Sequence, residues 1–150
     1  MKKFMYSSLL LISSLMLLSC SDSTPLTFNK ADYKGQWLIV NYWATWCQPC
    51  ITELPALNAF SKKYAKDKIS VIGINFDGKS TQELTEFLEP LELNFPLFSQ
   101  FPLADYQLSL PQVLPTTYII APDGRLKNTL VGPQDEASLL TALKVAQKAA

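Results

Sequence analysis

Apolar positions along this chain follow two periods. Three short runs are almost continuously apolar and rich in β-branched or aromatic residues: Trp37–Trp43, Ile69–Phe76 and Thr117–Ala121. Such runs read as strands buried on both faces of a parallel or mixed sheet. Elsewhere the spacing is helical. Ile51, Leu54, Leu57, Phe60 and Tyr64 predict a helix from about Cys50 to Lys66, with Pro55 expected to kink it. Ser80-Thr-Gln-Glu83 has the form of a capping box, and Leu84, Phe87, Leu88 and Leu91 continue it at helical spacing. Leu139, Leu140, Leu143 and Ala146 mark a helix near the C-terminus. Pro122-Asp-Gly124 has turn chemistry, so residues 125–131 should return as an antiparallel partner of the third strand. Residues 95–115 hold Pro96, Pro102, Pro111 and Pro115 and read as irregular, with a short strand at Leu97-Phe98. Alternating strands and helices in the first half require a parallel sheet with right-handed crossovers. The expected class is α/β: a central mixed sheet, closed by a hairpin, with helices on both faces.

A different pattern opens the chain. Met1-Lys-Lys3 is basic, an apolar run over residues 9–18 follows, and the segment ends Leu17-Leu-Ser-Cys20. The run is too short to span a bilayer, which needs about 20 residues, and suits a signal-peptide core. Its end resembles the lipobox of bacterial lipoproteins. That likeness implies removal of residues 1–19, lipidation of Cys20 and a polar tether over 20–25. The full chain of 150 residues balances 13 basic against 13 acidic side chains. Loss of Lys2 and Lys3 leaves the mature chain mildly acidic. No electrostatic footprint for nucleic acid is present.

Composition narrows the chemistry. The chain contains no His and 3 Cys. Ser–His and Cys–His catalysis and His-ligated metal sites are excluded, and three thiols cannot fill a four-thiolate metal site. No metal and no cofactor is expected. With Cys20 taken by lipid, Cys47 and Cys50 remain, in a compartment that permits disulfides. They form a C-x-x-C between a buried strand and a helix. Cys47 falls at the helix N-terminus, where unpaired N–H groups and the dipole favour a thiolate. Cys50 lies one turn on, so the pair can close a small loop, with Cys47 as attacking nucleophile and Cys50 as resolving thiol. Pro49 is tolerated in the first turn. Half of a zinc site and a copper-delivery site compete poorly, since neither a second pair nor a histidine is present. A purely structural disulfide stays open, although so short a loop gives little entropic stabilisation.

Val40-Asn-Tyr-Trp-Ala-Thr-Trp-Cys-Gln-Pro-Cys50, Glu53-Leu-Pro55, Leu114-Pro-Thr-Thr-Tyr-Ile-Ile120 and Pro122-Asp-Gly124 together resemble the TlpA/ResA-type branch of the thioredoxin superfamily. The resemblance covers nearly all of residues 26–150. It implies a thioredoxin-like domain there, with 77–113 as an insertion-like segment before the strand that follows a cis-proline, Pro115. It also implies a membrane-tethered thiol–disulfide oxidoreductase outside the cytoplasm. Such proteins reduce particular protein disulfides, apocytochromes c among their substrates, and draw electrons from a membrane thiol–disulfide transporter. The implied location is the cell envelope, facing the periplasm, with the choice of membrane open. Oxidase or isomerase activity, and a lipid-anchored binding module with a structural disulfide, are the alternatives.

Site roles follow from the same likeness. Cys47, Cys50, Glu53 and Pro115 are the expected catalytic residues. Trp46, Gln48, Pro49, Leu114 and Thr116 are expected to contact the substrate. Glu53 stands one turn beyond Cys50, as a proton acceptor for the thiols or as a solvated helix charge. Asn41 stands where thioredoxin itself has a buried Asp, so it cannot serve as a base. Peroxide reduction is disfavoured: the peroxiredoxin pattern wants Thr or Ser three residues before the nucleophile and Pro seven before it, where this chain has Ala44 and Val40.

Overall fold

β1 (Trp37–Trp43) lies at the centre of a five-stranded sheet of order β3-β2-β1-β4-β5, in a computed structural model that describes residues 26–149. The other strands are β2 (Ile69–Asn75), β3 (Leu97–Phe98), β4 (Thr116–Ile120) and β5 (Leu126–Val131). β1, β2 and β3 run parallel, whereas β4 and β5 pair antiparallel. The fold is thioredoxin-like α/β. The predicted signal peptide, Cys20 and the tether lie outside the described residues.

Each apolar run forms its strand within a residue of the expected ends. All seven residues of β1 are buried, as a strand covered on both sides requires. Its side chains alternate between two cores. Trp37, Ile39 and Trp43 join α1 (Gln48–Tyr64) and α3 (Glu136–Lys148) on one side. Leu38, Val40 and Tyr42 face an aromatic cluster on the other.

Helices cover the two faces unequally. α1, α3 and the single turn α2 (Thr85–Leu88) all pack on the same core. Opposite them stand two 3-10 helices, Lys30–Tyr33 and Leu103–Tyr106, together with Phe28, Phe98 and Phe101. α1 begins and ends two residues earlier than its spacing predicts and is not broken at exposed Pro55. Proline there removes only the bond to the carbonyl one turn back.

The second predicted helix is mostly absent. Its capping box does form: the Ser80 N–H donates to the Glu83 carboxylate (2.8 Å) and the Glu83 N–H to Ser80 Oγ (3.3 Å). Only Thr85–Leu88 then becomes α-helix, followed by a 3-10 turn over Glu89–Leu91. Pro90 has no N–H to continue the ladder. The Thr85 hydroxyl also donates to the carbonyls of Thr81 (3.2 Å) and Gln82 (2.9 Å), which take the N–H groups of Leu84 and Thr85 in three-residue turns instead of α-helical bonds.

Candidate active site

Cys47 and Cys50 are joined by a disulfide over the first turn of α1, with their Cα atoms 5.3 Å apart. Cys47 is the N-cap residue, with extended backbone and no side-chain capping bond. Its carbonyl accepts the first helical bond, from the Ile51 N–H at 3.1 Å. The helix terminus therefore presents free N–H groups and positive potential beside this sulfur. Pro49 supplies no N–H, which leaves Gln48 and Cys50 as backbone donors in that turn. The two sulfurs are not equivalent. Cys47 retains 5% exposure and Cys50 none.

Behind the disulfide lies a buried polar network. Glu53 is 2% exposed, so it is not a solvated helix charge. Its Oε1 accepts from Asn41 Nδ2 at 2.7 Å, and its Oε2 accepts from the Gln134 backbone N–H at 2.7 Å. Asn41 Nδ2 also donates to Thr117 Oγ1 at 3.0 Å. Asn41 faces Thr117 directly in the β1–β4 register, which explains that second bond. Burial pushes the Glu53 carboxyl above the ordinary carboxylate range; the bonds from Gln134 and Asn41 pull it partly back. No cation lies among the residues lining the shallow cavity over Glu53.

Leu114–Pro115 is a cis peptide bond. The Pro115 carbonyl accepts from the Gly132 N–H at 2.9 Å. Gln134 Nε2 donates to the Gly132 carbonyl at 2.8 Å. The Gly132–Gln134 segment thus straps the proline loop to the carboxylate. Positive φ at Gly132 (89°) makes glycine the natural residue at this bend.

The expected substrate-contacting residues divide. Gln48 and Pro49 are exposed and Leu114 is half-buried. Trp46 is 65% exposed, and its Nε1 donates to both carboxylate oxygens of Asp77, at 3.2 and 3.0 Å. Thr116 points inward instead. It is 3% exposed, and its hydroxyl donates to the Val113 carbonyl at 2.7 Å. Exposed side chains on that side are Val113 and, across the β4–β5 register, Val131.

Three participants were not visible in the spacing of residues. Gln134 acts through its backbone N–H, which leaves no trace in side-chain identity. Thr117 stands inside the Leu114–Ile120 motif, but nothing there marks its hydroxyl as a partner of Asn41. Asp77 follows β2 and meets Trp46 only in the fold. A separate cavity of about 540 Å³, lined by Tyr33, Leu38, Tyr106 and Ile120, lies at the start of β1, the far end from the disulfide.

The chain is similar to known proteins in sequence and in fold. The chain matches the AhpC/TSA family over residues 17–129. It is 37% identical over 105 residues to the thioredoxin-like protein YneN of Bacillus subtilis (strain 168), covering 67% of this chain and 59% of that one. It is 32% identical over 104 residues to the thiol-disulfide oxidoreductase ResA of Geobacillus kaustophilus (strain HTA426), covering 68% of this chain and 58% of the relative. The chain thus spans about three-fifths of the length of these curated relatives. Among solved structures, a thioredoxin-related protein from Neisseria meningitidis serogroup B superposes with a TM-score of 0.66 at 30% identity, over 85% of this chain and 95% of that one.

Proposed function

Because the chain belongs to the AhpC/TSA family of thioredoxin-like proteins, we propose that it is an extracytoplasmic thiol–disulfide oxidoreductase that reduces disulfides of exported proteins. The observation that carries this reading is the Cys47–Cys50 disulfide, closed over a helix N-terminus with Cys47 at its rim, 5% exposed, and Cys50 fully buried. A structural crosslink would have no need of that asymmetry. The relatives named as thiol-disulfide oxidoreductases support the same chemistry.

Turnover begins with the reduced pair. The Cys47 thiolate, favoured by the helix terminus, attacks one sulfur of the substrate disulfide. A mixed disulfide forms, and the first substrate thiolate leaves and takes a proton from water. Cys50 then gives its proton to the Glu53 carboxylate, and its thiolate attacks Cys47 Sγ. The bond between Cys47 and the substrate breaks, and the second substrate sulfur leaves as a thiolate that takes its proton from Glu53 or water. Two electrons have passed to the substrate, and Cys47–Cys50 is oxidised. A membrane thiol–disulfide donor restores the dithiol. Glu53 suits its part because a raised carboxyl accepts and returns protons nearer neutrality.

Trp46, Gln48, Pro49 and Leu114 form the exposed margin against which the substrate chain docks beside Pro115. Apocytochrome c is one such substrate class. Lipidated Cys20 and the tether over 20–25 hold the domain at the periplasmic face of an envelope membrane.

A trap tests the proposal. Cys50→Ala should leave a mixed disulfide frozen on Cys47 in native membranes, released by dithiothreitol and lost when Cys47→Ser is added. Retention of full disulfide reductase activity by Cys47→Ser would overturn the reading.

A further inference from the structure

The buried network contains one atom with nothing to do. Asn41 is fully buried, and both hydrogens of its Nδ2 are used, one on Glu53 Oε1 and one on Thr117 Oγ1. Its Oδ1 has no hydrogen-bond partner among the described residues. An orphaned buried acceptor is costly and calls for an explanation. The orientation itself is dictated by charge. A carboxamide facing an ionised carboxylate must offer its N–H, because the opposite orientation would set two acceptors against each other.

Protonation of Glu53 reverses that demand. Oε2 continues to accept from the Gln134 N–H, so the proton belongs on Oε1, which then becomes a donor facing Asn41. Half a turn of the carboxamide places Oδ1 there. Thr117 can follow, since a hydroxyl both accepts and donates. In this second arrangement Oδ1 receives the Glu53 and Thr117 hydroxyls together, and the unused atom is now a donor. One side chain thus serves both charge states of its neighbour without moving the backbone.

We propose that Asn41 is a positioning residue whose carboxamide presents Nδ2–H to an ionised Glu53 and, turned over, Oδ1 to a protonated one, so that it follows the proton through turnover. This rests on the proposed reductase reading only where it speaks of turnover; the coupling of Asn41 to Glu53 stands on the geometry alone. The other groups around the carboxylate do not compete for the role. β4 contributes only the Thr117 hydroxyl, and the lining of the cavity contains a single further titratable group, Asp135. Asp135 is engaged with the Ser138 N–H at 2.8 Å as the cap of α3.

Carbon-13 NMR of the glutamate carboxyls in the oxidised protein tests the coupling without any turnover. Asn41→Leu removes a charge-assisted bond to the anion and a weaker neutral bond to the acid, so the Glu53 midpoint should still rise. Asn41→Asp keeps the shape and substitutes a second carboxyl. Glu53 should then titrate in two coupled steps, because like charges at that distance cannot both ionise freely. In the unmodified protein the Asn41 side-chain amide protons should lose their hydrogen-bonded shifts with the same midpoint as Glu53. Unchanged Glu53 titration in both variants, or an Asn41 amide indifferent to it, would overturn the proposal. In the reduced protein, the pH profile for resolving the mixed disulfide should shift in Asn41→Leu by the amount Glu53 shifts. Should the unmodified protein exchange no disulfides at all, the reductase reading fails while the NMR result still decides the role of Asn41.

Discussion

The two faces of β1 do different work with the same strand. On the helix side, Trp37, Ile39 and Trp43 are joined by Asn41, and the facing elements bring Glu53 and Thr117. On the other side, Leu38, Val40 and Tyr42 meet rings: Phe28 lies 4.8 Å from Phe101, Phe101 lies 4.9 Å from Tyr106, and Tyr42 lies 5.9 Å from Tyr118. One face accepts a buried carboxyl and its hydrogen-bond partners. The opposite face is closed by aromatic packing, with no α-helix over it among the described residues. Because successive strand residues alternate faces, packing on the aromatic side can be altered without touching the polar network on the helix side. That separation is open to experiment.

The largest test is Phe101→Ala. Phe101 is buried and touches Phe28 and Tyr106, so truncation should cost about 3 kcal/mol or more, as large-to-small aromatic changes in cores do. Denaturant unfolding measures this. Disulfide reduction per folded molecule, assayed on the same samples, should stay at the unsubstituted rate. A matching loss in the rate would mean that the two faces are not separable.

Glu53→Gln probes the other face through pH. The folded-state carboxyl of Glu53 lies above its ordinary value, mainly through burial. Its contribution to stability is therefore fully present below the ordinary carboxylate range and is lost as pH rises through the raised folded value. The oxidised protein should lose stability across that window, and Glu53→Gln should lack this component. Thermal unfolding at a series of pH values distinguishes the two. A slope unaltered by the substitution would show that Glu53 titrates as it does in the unfolded chain.

Legibility in the sequence followed the same division. β1, β2 and β4 were readable because a strand buried on both faces must be apolar almost throughout, and the C-x-x-C was readable because its spacing fixes one helical turn. The aromatic face was not. Phe28, Tyr33, Phe101 and Tyr106 lie in two separated stretches without strand or helix period, and only the tertiary fold collects them. Glu53 was half legible: its position after Cys50 put it on the right helix, but an i+3 carboxyl can face solvent or core, and the choice depends on Asn41 and Gln134 arriving from elsewhere. The truncated α2 shows local signals in conflict. Ser80 and Glu83 cap a helix that Pro90 does not allow to continue.

The smallest stability effect is expected at the rim where the helix face opens to solvent. Trp46 is 65% exposed, held by Asp77 and set edge-on to Phe76 at 6.5 Å. Trp46→Ala removes little buried surface, so stability should change by about 0.5 kcal/mol or less. Its effect belongs to recognition. An exposed indole on the residue before Cys47 offers broad apolar area to an approaching chain. The KM for a protein disulfide should rise several-fold while kcat moves by less than twofold, which is the signature of lost binding common to ground and transition states. Steady-state reduction of a protein substrate reads both constants. A fall in kcat with unchanged KM would assign Trp46 to the reacting sulfur, as a shield of Cys47, and would draw it out of the docking surface into the chemistry of the helix face.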